Sequence, residues 1–220
     1  MSNAPIRVLI ADDHAMLRDA LTHMLSVHAD IAVVGGAGDG REAVELVRQL
    51  QPDVAIVDIS MPELNGIDAI PEMAAVSPQT RVVILSMQGT SEHLYRSLQA
   101  GAHGYLLKGS AGKMLIEAVR AVHAGHRYFS EEMTQVLVDD FVQQRERGPL
   151  ASPLERLSAR ERQILQMVVE GKSSAEIADI LALSPKTVET YRSRLMTKLG
   201  IKDLPGLVKF AVQHGLTPLN

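Results

Sequence analysis

The 220-residue sequence predicts an α/β domain followed by a small all-α domain. Three observations lead there. Within residues 1–127, apolar runs of strand length alternate with apolar residues at helical spacing. Beyond residue 154 only helical spacing remains, set off by serine caps and glycine stops. The charge also changes along the chain. Residues 1–130 hold 10 Lys+Arg against 14 Asp+Glu, and residues 151–220 hold 10 against 7, within an overall net charge of -4. An acidic front and a mildly basic back suit two units with different partners.

The first strand is Ile6 to Ile10, ending in Ala11-Asp12-Asp13, and Met16, Leu17, Ala20, Leu21, Met24 and Leu25 form the helix after it. Ile31 to Val34 is the second strand, stopped by Gly35 and Gly36, and Arg41 to Leu50 is a helix. Val54 to Val57 is the third, ending at Asp58. A loop with Pro62 and Gly66 then leads into a helix over Ile67 to Val76. Arg81 to Leu85 ends at Ser86, a helix spans Glu92 to Gln99, and Gly104 to Leu107 ends at Lys108. The last helix runs from Lys113 to Ala124. Strands this apolar need cover on both faces, so the domain is expected to be a five-stranded, parallel, doubly wound sheet.

Ligands of such sheets bind beyond the carboxyl ends of the strands. Asp12, Asp13, Asp58, Ser86 and Lys108 all stand there and converge on one crevice. Three crowded carboxylates call for a compensating cation. Hard oxygen donors with no His or Cys in the set suit Mg²⁺ better than zinc. Lys108 adds a positive charge for an anionic guest, and Ser86 a hydroxyl donor. His14 reads as a solvated residue near a helix N-terminus. The glycine-rich stretch 35–40 lacks phosphate-loop spacing and follows the second strand, so it reads as a tight connection.

Other chemistry is excluded by composition. The absence of cysteine rules out disulfides and thiolate metal sites. No run approaches the roughly 18 apolar residues of a membrane span. Met1 to Pro5 is too short and polar for a signal peptide, so a cytoplasmic protein with no membrane partner is expected.

Asp12-Asp13, Asp58 with Met61-Pro62 and Gly66, Ser86, and Tyr105 before Lys108 resemble the receiver domain of two-component response regulators, over residues 6–127. The resemblance implies the flavodoxin-like (CheY-like) arrangement, with Asp58 as phospho-acceptor. Asp13, Asp58 and the backbone carbonyl of Ser60 would hold Mg²⁺, helped by Asp12. Lys108 would pair with a phosphoryl oxygen and Ser86 would bond another. Tyr105 would turn in from the surface once Ser86 moves. A sensor histidine kinase is the implied donor.

Residues 128–153 read as an acidic linker, with a short helix marked by Met133, Val136, Leu137 and Phe141. In the last unit, residues 154–220, Ser158 with Glu161 and Ser173 with Glu176 are capping boxes. Ile164, Leu165, Val168 and Val169 give the first helix its stripe, and Gly171 ends it. Ile177, Ala178 and Leu181 fill the second. Ser184 caps a third, with Pro185 at its first position and Gly200 as its stop. A fourth spans Leu204 to His214.

Helix, tight turn and helix make a helix-turn-helix, with Ser184 to Leu199 as the reading helix. At 100° per residue, Glu189, Ser193, Lys186, Thr197 and Thr190 fall within an arc of about 100°. Tyr191, Leu195, Val188 and Leu199 lie on the far side, and Arg192 and Arg194 flank the polar face where they can reach phosphates.

Leu157-Ser158, Arg160-Glu161, Gly171, Glu176-Ile177-Ala178, Leu183-Ser184, Thr187-Val188 and Lys198-Leu199-Gly200 resemble the LuxR-type helix-turn-helix. A receiver joined to it resembles the NarL/FixJ class of regulators; Tyr191 stands where many members carry His. The resemblance implies DNA contacts from Lys186, Thr187, Glu189, Thr190, Arg192, Ser193, Arg194, Thr197 and Lys198. Glu189 can accept from cytosine N4. Ile177, Ala178, Leu181, Val188, Leu195 and Leu199 form the expected motif core. Double-stranded promoter DNA, a second copy of the chain and RNA polymerase are the implied partners. The resulting expectation is a phosphorylation-controlled transcriptional regulator rather than a metabolic enzyme, whose only catalysis is its own phosphorylation and dephosphorylation. The competing reading is a phosphorelay module whose helical unit grips protein.

Overall fold

The structure is a computed structural model describing residues 4–87, 89–136 and 153–216. The strands are β1 (Ile6–Ala11), β2 (Ile31–Ala37), β3 (Val54–Asp58), β4 (Arg81–Ser86), β5 (Gly104–Leu107) and β6 (Tyr128–Phe129). They form one sheet in the order β2-β1-β3-β4-β5-β6, and every pair is parallel. The helices between them are α1 (Ala15–Ser26), α2 (Gly40–Leu50), α3 (Gly66–Val76), α4 (Ser91–Ala100) and α5 (Ala111–His123).

Strand alternation sends side chains to two separate cores. Val8 and Ile10 of β1 join Leu21 and Leu25 of α1 and Leu115, Val119 and Val122 of α5. Leu9 and Ala11 point the other way, toward Ala43 and Val47 of α2, Ile67 and Ile70 of α3, and Leu94 of α4. Both faces are therefore covered, which is why the strands carry almost no polar residues before their carboxyl ends.

The five expected strands are all present, with two differences in extent. β2 continues through Gly35 and Gly36, which pair with Leu9 and Ile10 of β1 after a register shift at Val8/Leu9. A Cβ on Gly35 would come within 2.9 Å of Leu50 and 3.1 Å of Leu9. The glycine lets α2 pack close; it does not stop the strand. β6 extends the sheet by two residues, Tyr128 pairing with Gly104. Both lie in the stretch read as linker. A helical stretch, α6, follows over residues 131–136. Its Met133 is buried against the α2–α4 side of the sheet, with Val136 packed beside it. Leu137 and Phe141 lie outside the described residues.

The second unit opens with a 3-10 turn, Pro153–Arg156, followed by α7 (Ala159–Val169), α8 (Ser174–Leu181), α9 (Pro185–Leu199) and α10 (Leu204–Gln213). Both capping boxes form: Ser158 with Glu161 and Ser173 with Glu176. Ser184 caps α9 by accepting from the Thr187 amide. The core joins Ile164, Leu165 and Val168 to Ile177, Ala178, Leu181, Val188, Leu195, Leu207 and Ala211, with Leu199 partly buried at its edge. Among the described residues, no helix is long and apolar enough to cross a membrane.

Candidate functional site

The carboxyl ends of β1, β3, β4 and β5 bring the expected polar residues together. Asp12, Asp58 and Ser86 are buried, while Asp13 and Ser60 are half-buried. Lys108 reaches between two strands, its Nζ 2.8 Å from Asp12 Oδ2 and 3.1 Å from Asp58 Oδ2. Asp12, Asp13, Asp58 and His14 each offer a ligand atom within 4.8 Å of the others. Gly66 explains how α3 begins so close by: a Cβ there would lie 1.9 Å from the Asp58 carbonyl oxygen.

The electrostatics follow from burial. Desolvation pushes the Asp58 carboxyl up to about 6; Lys108 opposes this, and Asp12 and Asp13 add to it. Burial works against the Lys108 ammonium, yet Asp58 and Asp12 hold it above its ordinary value. Three carboxylates face one ammonium, an imbalance that a further cation would relieve. The three carboxylates, with His14 beside them, form a cluster that could hold a metal ion.

One residue differs from its expected place. Tyr105 is fully buried, bonded through its hydroxyl to Ser86, and burial pushes its phenol up to about 12. The inward position of the aromatic is thus already occupied, because the α2–α4 core has room for the ring beside β4. His14 is mostly exposed at the N-cap of α1, as expected, and stands at the crevice rim. Its Nδ1 is 2.7 Å from Asp13 Oδ1 and 3.2 Å from Asp12 Oδ1, and its amide donates to Asp12 Oδ1 at 2.9 Å.

In the helical unit, α9 presents the expected polar face. Lys186, Glu189, Thr190, Ser193, Arg194 and Thr197 are exposed, while Val188 and Leu195 are buried. Five members of the expected DNA-contacting set are engaged within the unit, the Thr190 and Thr197 hydroxyls by donating to the Lys186 and Ser193 carbonyls of α9 at 2.9 Å each. Arg192 donates to Ser174 Oγ at 3.3 Å, and Thr187 shares a 2.8 Å hydroxyl bond with Ser184. Lys198 Nζ sits 2.7 Å from Glu161 Oε2, tying α9 to α7. Burial raises the Glu161 carboxyl, but bonds from Lys198 and Ser158 leave it below the usual range.

The sequence reading missed the residues that join the two units. Gln166 of α7 donates to the Met61 carbonyl and accepts from the Asn65 amide, both at 2.8 Å. Arg162 pairs with Asp68 at 2.9 Å, Gln163 with Glu72 at 2.7 Å, and Lys172 with Glu63 at 2.8 Å. His214, after α10, meets Glu92 at 3.0 Å, and its carbonyl contacts His93 Nε2. On sequence alone these are ordinary solvated polar positions, and only docking buries them. The exposed face of α9 remains open while the units are docked.

Comparison with known proteins agrees with both halves. The response regulator receiver domain family matches residues 8–120, and the family of bacterial regulatory proteins, luxR family, matches residues 155–211. The chain is 39% identical to the oxygen regulatory protein NreC of Staphylococcus epidermidis, over 96% of this chain and 99% of that one. It is similar to the RcsB response regulator of Salmonella typhimurium, solved in a study of its conformational dynamism for DNA interaction. That match has a TM-score of 0.59 at 25% identity, over 96% of this chain and 100% of that one. An RcsB–DNA complex is similar at a TM-score of 0.57 and 26% identity, over 94% and 97%. A receiver whose acidic crevice stands at the strand ends, followed by a capped helix-turn-helix, therefore places this chain among the two-component response regulators of the NarL/FixJ class, as a phosphorylation-regulated, DNA-binding transcription factor.

Proposed function

We propose that Asp58 is the phospho-acceptor through which a sensor histidine kinase controls promoter binding by this chain. The observation that carries this reading is the placement of Asp58 Oδ2 3.1 Å from Lys108 Nζ, in a crevice shared with Asp12 and Asp13. A carboxylate oxygen of Asp58 attacks phosphorus, and the bond from phosphorus to the donor's leaving atom breaks. Asp13, Asp58, the Ser60 carbonyl and Asp12 would hold Mg²⁺. When bound, the ion supplies charge neutralisation for the transferring oxygens. Lys108 would stabilise a phosphoryl oxygen, and the Ser86 hydroxyl would donate to another. The Ser86–Tyr105 bond links that hydroxyl to the ring buried behind it.

The receiver occupies residues 1–127 in this reading, with 128–153 joining it to the DNA-binding unit, 154–220. Lys186, Glu189, Thr190, Ser193, Arg194 and Thr197 contact DNA directly, with Arg192, Thr187 and Lys198 at the margins of that face. Phosphorylation favours a homodimer, which doubles the phosphate contacts of a weakly basic unit and reads paired half-sites. RNA polymerase is its downstream partner, and the protein works in the cytoplasm.

Selection from a random duplex library, with and without acetyl phosphate and Mg²⁺, tests the reading. Enrichment of a two-half-site sequence that strengthens with phosphodonor is expected. Failure to enrich any sequence under either condition contradicts DNA reading.

A further inference from the structure

We propose that Gln166, a residue of the DNA-binding unit, is a positioning residue for the receiver's metal and phosphorylation site. The inference rests on the reading of the crevice given above. Gln166 is 1% exposed, and every polar atom of its amide is used. Nε2 donates to the Met61 carbonyl at 2.8 Å and to Glu170 Oε1 at 2.9 Å, while Oε1 accepts from the Asn65 amide at 2.8 Å. Two acceptors on one side and a backbone donor on the other fix which end of the amide faces which partner.

Met61 and Asn65 stand in the loop that leaves Asp58, which the Gly66 amide closes at its base by donating to the Ile59 carbonyl at 2.9 Å. It makes two three-residue turns, Met61 N to Ile59 O at 3.1 Å and Leu64 N to Pro62 O at 2.7 Å. Such turns are weak by themselves. Glu63 has φ +65, a left-handed backbone that a residue with a Cβ adopts only when its surroundings insist. The receiver core holds Met61 and Leu64 on either side, and the other unit adds to this: Lys172 holds the Glu63 carboxylate at 2.8 Å, and the Asn65 side chain donates to the Gly215 carbonyl at 3.3 Å.

The consequence falls on Ser60. Its carbonyl shares a planar peptide with the Met61 amide, so it points away from the bond that amide makes to Ile59. Gln166 fixes the next carbonyl along, and Ile59 the amide before it. Met61 is therefore held at both ends, and the Ser60 carbonyl is turned to one orientation before a cation arrives. Docking of the DNA-binding unit thus preorganises the metal site. By linkage, cation binding favours docking to the same degree.

The test is a Mg²⁺ titration of the full chain by calorimetry, paired with acyl-phosphate formation from acetyl phosphate at varied Mg²⁺. Gln166→Leu is expected to weaken Mg²⁺ binding about fivefold, the scale of one lost hydrogen bond. The labelling rate at saturating Mg²⁺ should stay within about twofold of wild type, because the ion then imposes the loop geometry itself. Gln166→Glu, close in shape, keeps the acceptor for Asn65 and loses the amide donor to Met61; it should shift Mg²⁺ binding in the same direction. Arg162→Ala removes one docking bond, at Asp68, without touching Met61, and should weaken Mg²⁺ binding less than Gln166→Leu does. Unchanged binding in both Gln166 variants overturns the proposal, as does an equal loss in Arg162→Ala. Absence of Mg²⁺ binding by the wild-type chain would instead refute the reading of the crevice, and this inference with it.

Discussion

The crevice and the reading helix are built on opposite principles. Asp12, Asp58, Ser86 and Tyr105 are almost wholly withdrawn from solvent, and Lys108 threads between them at hydrogen-bonding distance. On α9, Lys186, Glu189, Thr190, Ser193, Arg194 and Thr197 stand in solvent. The crevice must stabilise charge as it develops, which requires groups fixed beforehand in a low dielectric. The helix must conform to a duplex that brings its own charge, so its side chains wait hydrated and are desolvated on binding. Stability and function therefore oppose each other in the crevice and are largely independent on α9.

That contrast breaks most visibly at Asp58. Asp58→Asn should lower Mg²⁺-dependent labelling by about a hundredfold or more, since no other side chain replaces the nucleophile. The same substitution should stabilise the receiver, because it removes a buried charge. Burial raises this carboxyl from 3.8 to about 6, so the folded wild type binds the proton more tightly than the unfolded chain. Its stability is then fully present below about pH 4 and is lost as pH rises through 6. Without Mg²⁺ at neutral pH, urea melts should favour the Asn variant by about 3 kcal/mol, with the gap closing toward pH 4. A variant less stable than wild type at neutral pH would remove the electrostatic argument.

The next effect belongs to the helical unit's core. Leu195 is fully buried among Ile177, Ala178 and Val188. Leu195→Ala should destabilise that unit by about 3 kcal/mol and abolish DNA retention, while leaving labelling of the receiver intact. Calorimetric unfolding and labelling on the same sample separate the two.

Smaller effects sharpen the map of the reading face. Lys186→Ala and Arg194→Ala should each weaken DNA binding about tenfold and flatten its dependence on log salt by about one unit. Fluorescence anisotropy across salt concentrations measures both. Lys198 behaves differently if its bond to Glu161 is its main engagement. The pair is partly exposed on the lysine side, so Lys198→Ala should cost only about 0.5 kcal/mol of stability. It should change DNA affinity less than about twofold, within the noise of a lost peripheral phosphate contact. A tenfold loss would move Lys198 onto the DNA-contacting face.

What could be read from the sequence follows the same division. The five strands were legible because each is a dense apolar run that ends at a polar residue, and the ends of parallel strands meet at one place. Ser158, Ser173 and Ser184 announced their helices because a side-chain cap is a local device, satisfied within three residues. β2 was cut short because glycine ordinarily breaks a strand, and its packing reason, the approach of Leu50 and Leu9, is a tertiary fact. The inward Tyr105 was missed for a similar reason. A sequence does not say which of two rotamers the surrounding core has room for. Gln163, Gln166 and Arg162 carry no signal at all. They lie beside the apolar stripe of α7 as polar residues do on any solvated helix, and only the receiver's arrival buries them. Residues that serve one domain were thus readable, and residues that serve the contact between two were not.

The central claim is that phosphate enters this molecule at Asp58. Intact-mass analysis with peptide mapping, after incubation with acetyl phosphate in the presence or absence of Mg²⁺, tests it directly. The account predicts one phosphoryl group per chain, confined to the peptide that contains Asp58, dependent on Mg²⁺ and lost in mild base as an acyl phosphate should be. A phosphoryl group on another peptide, or equal labelling of the Asp58→Asn chain, would contradict it.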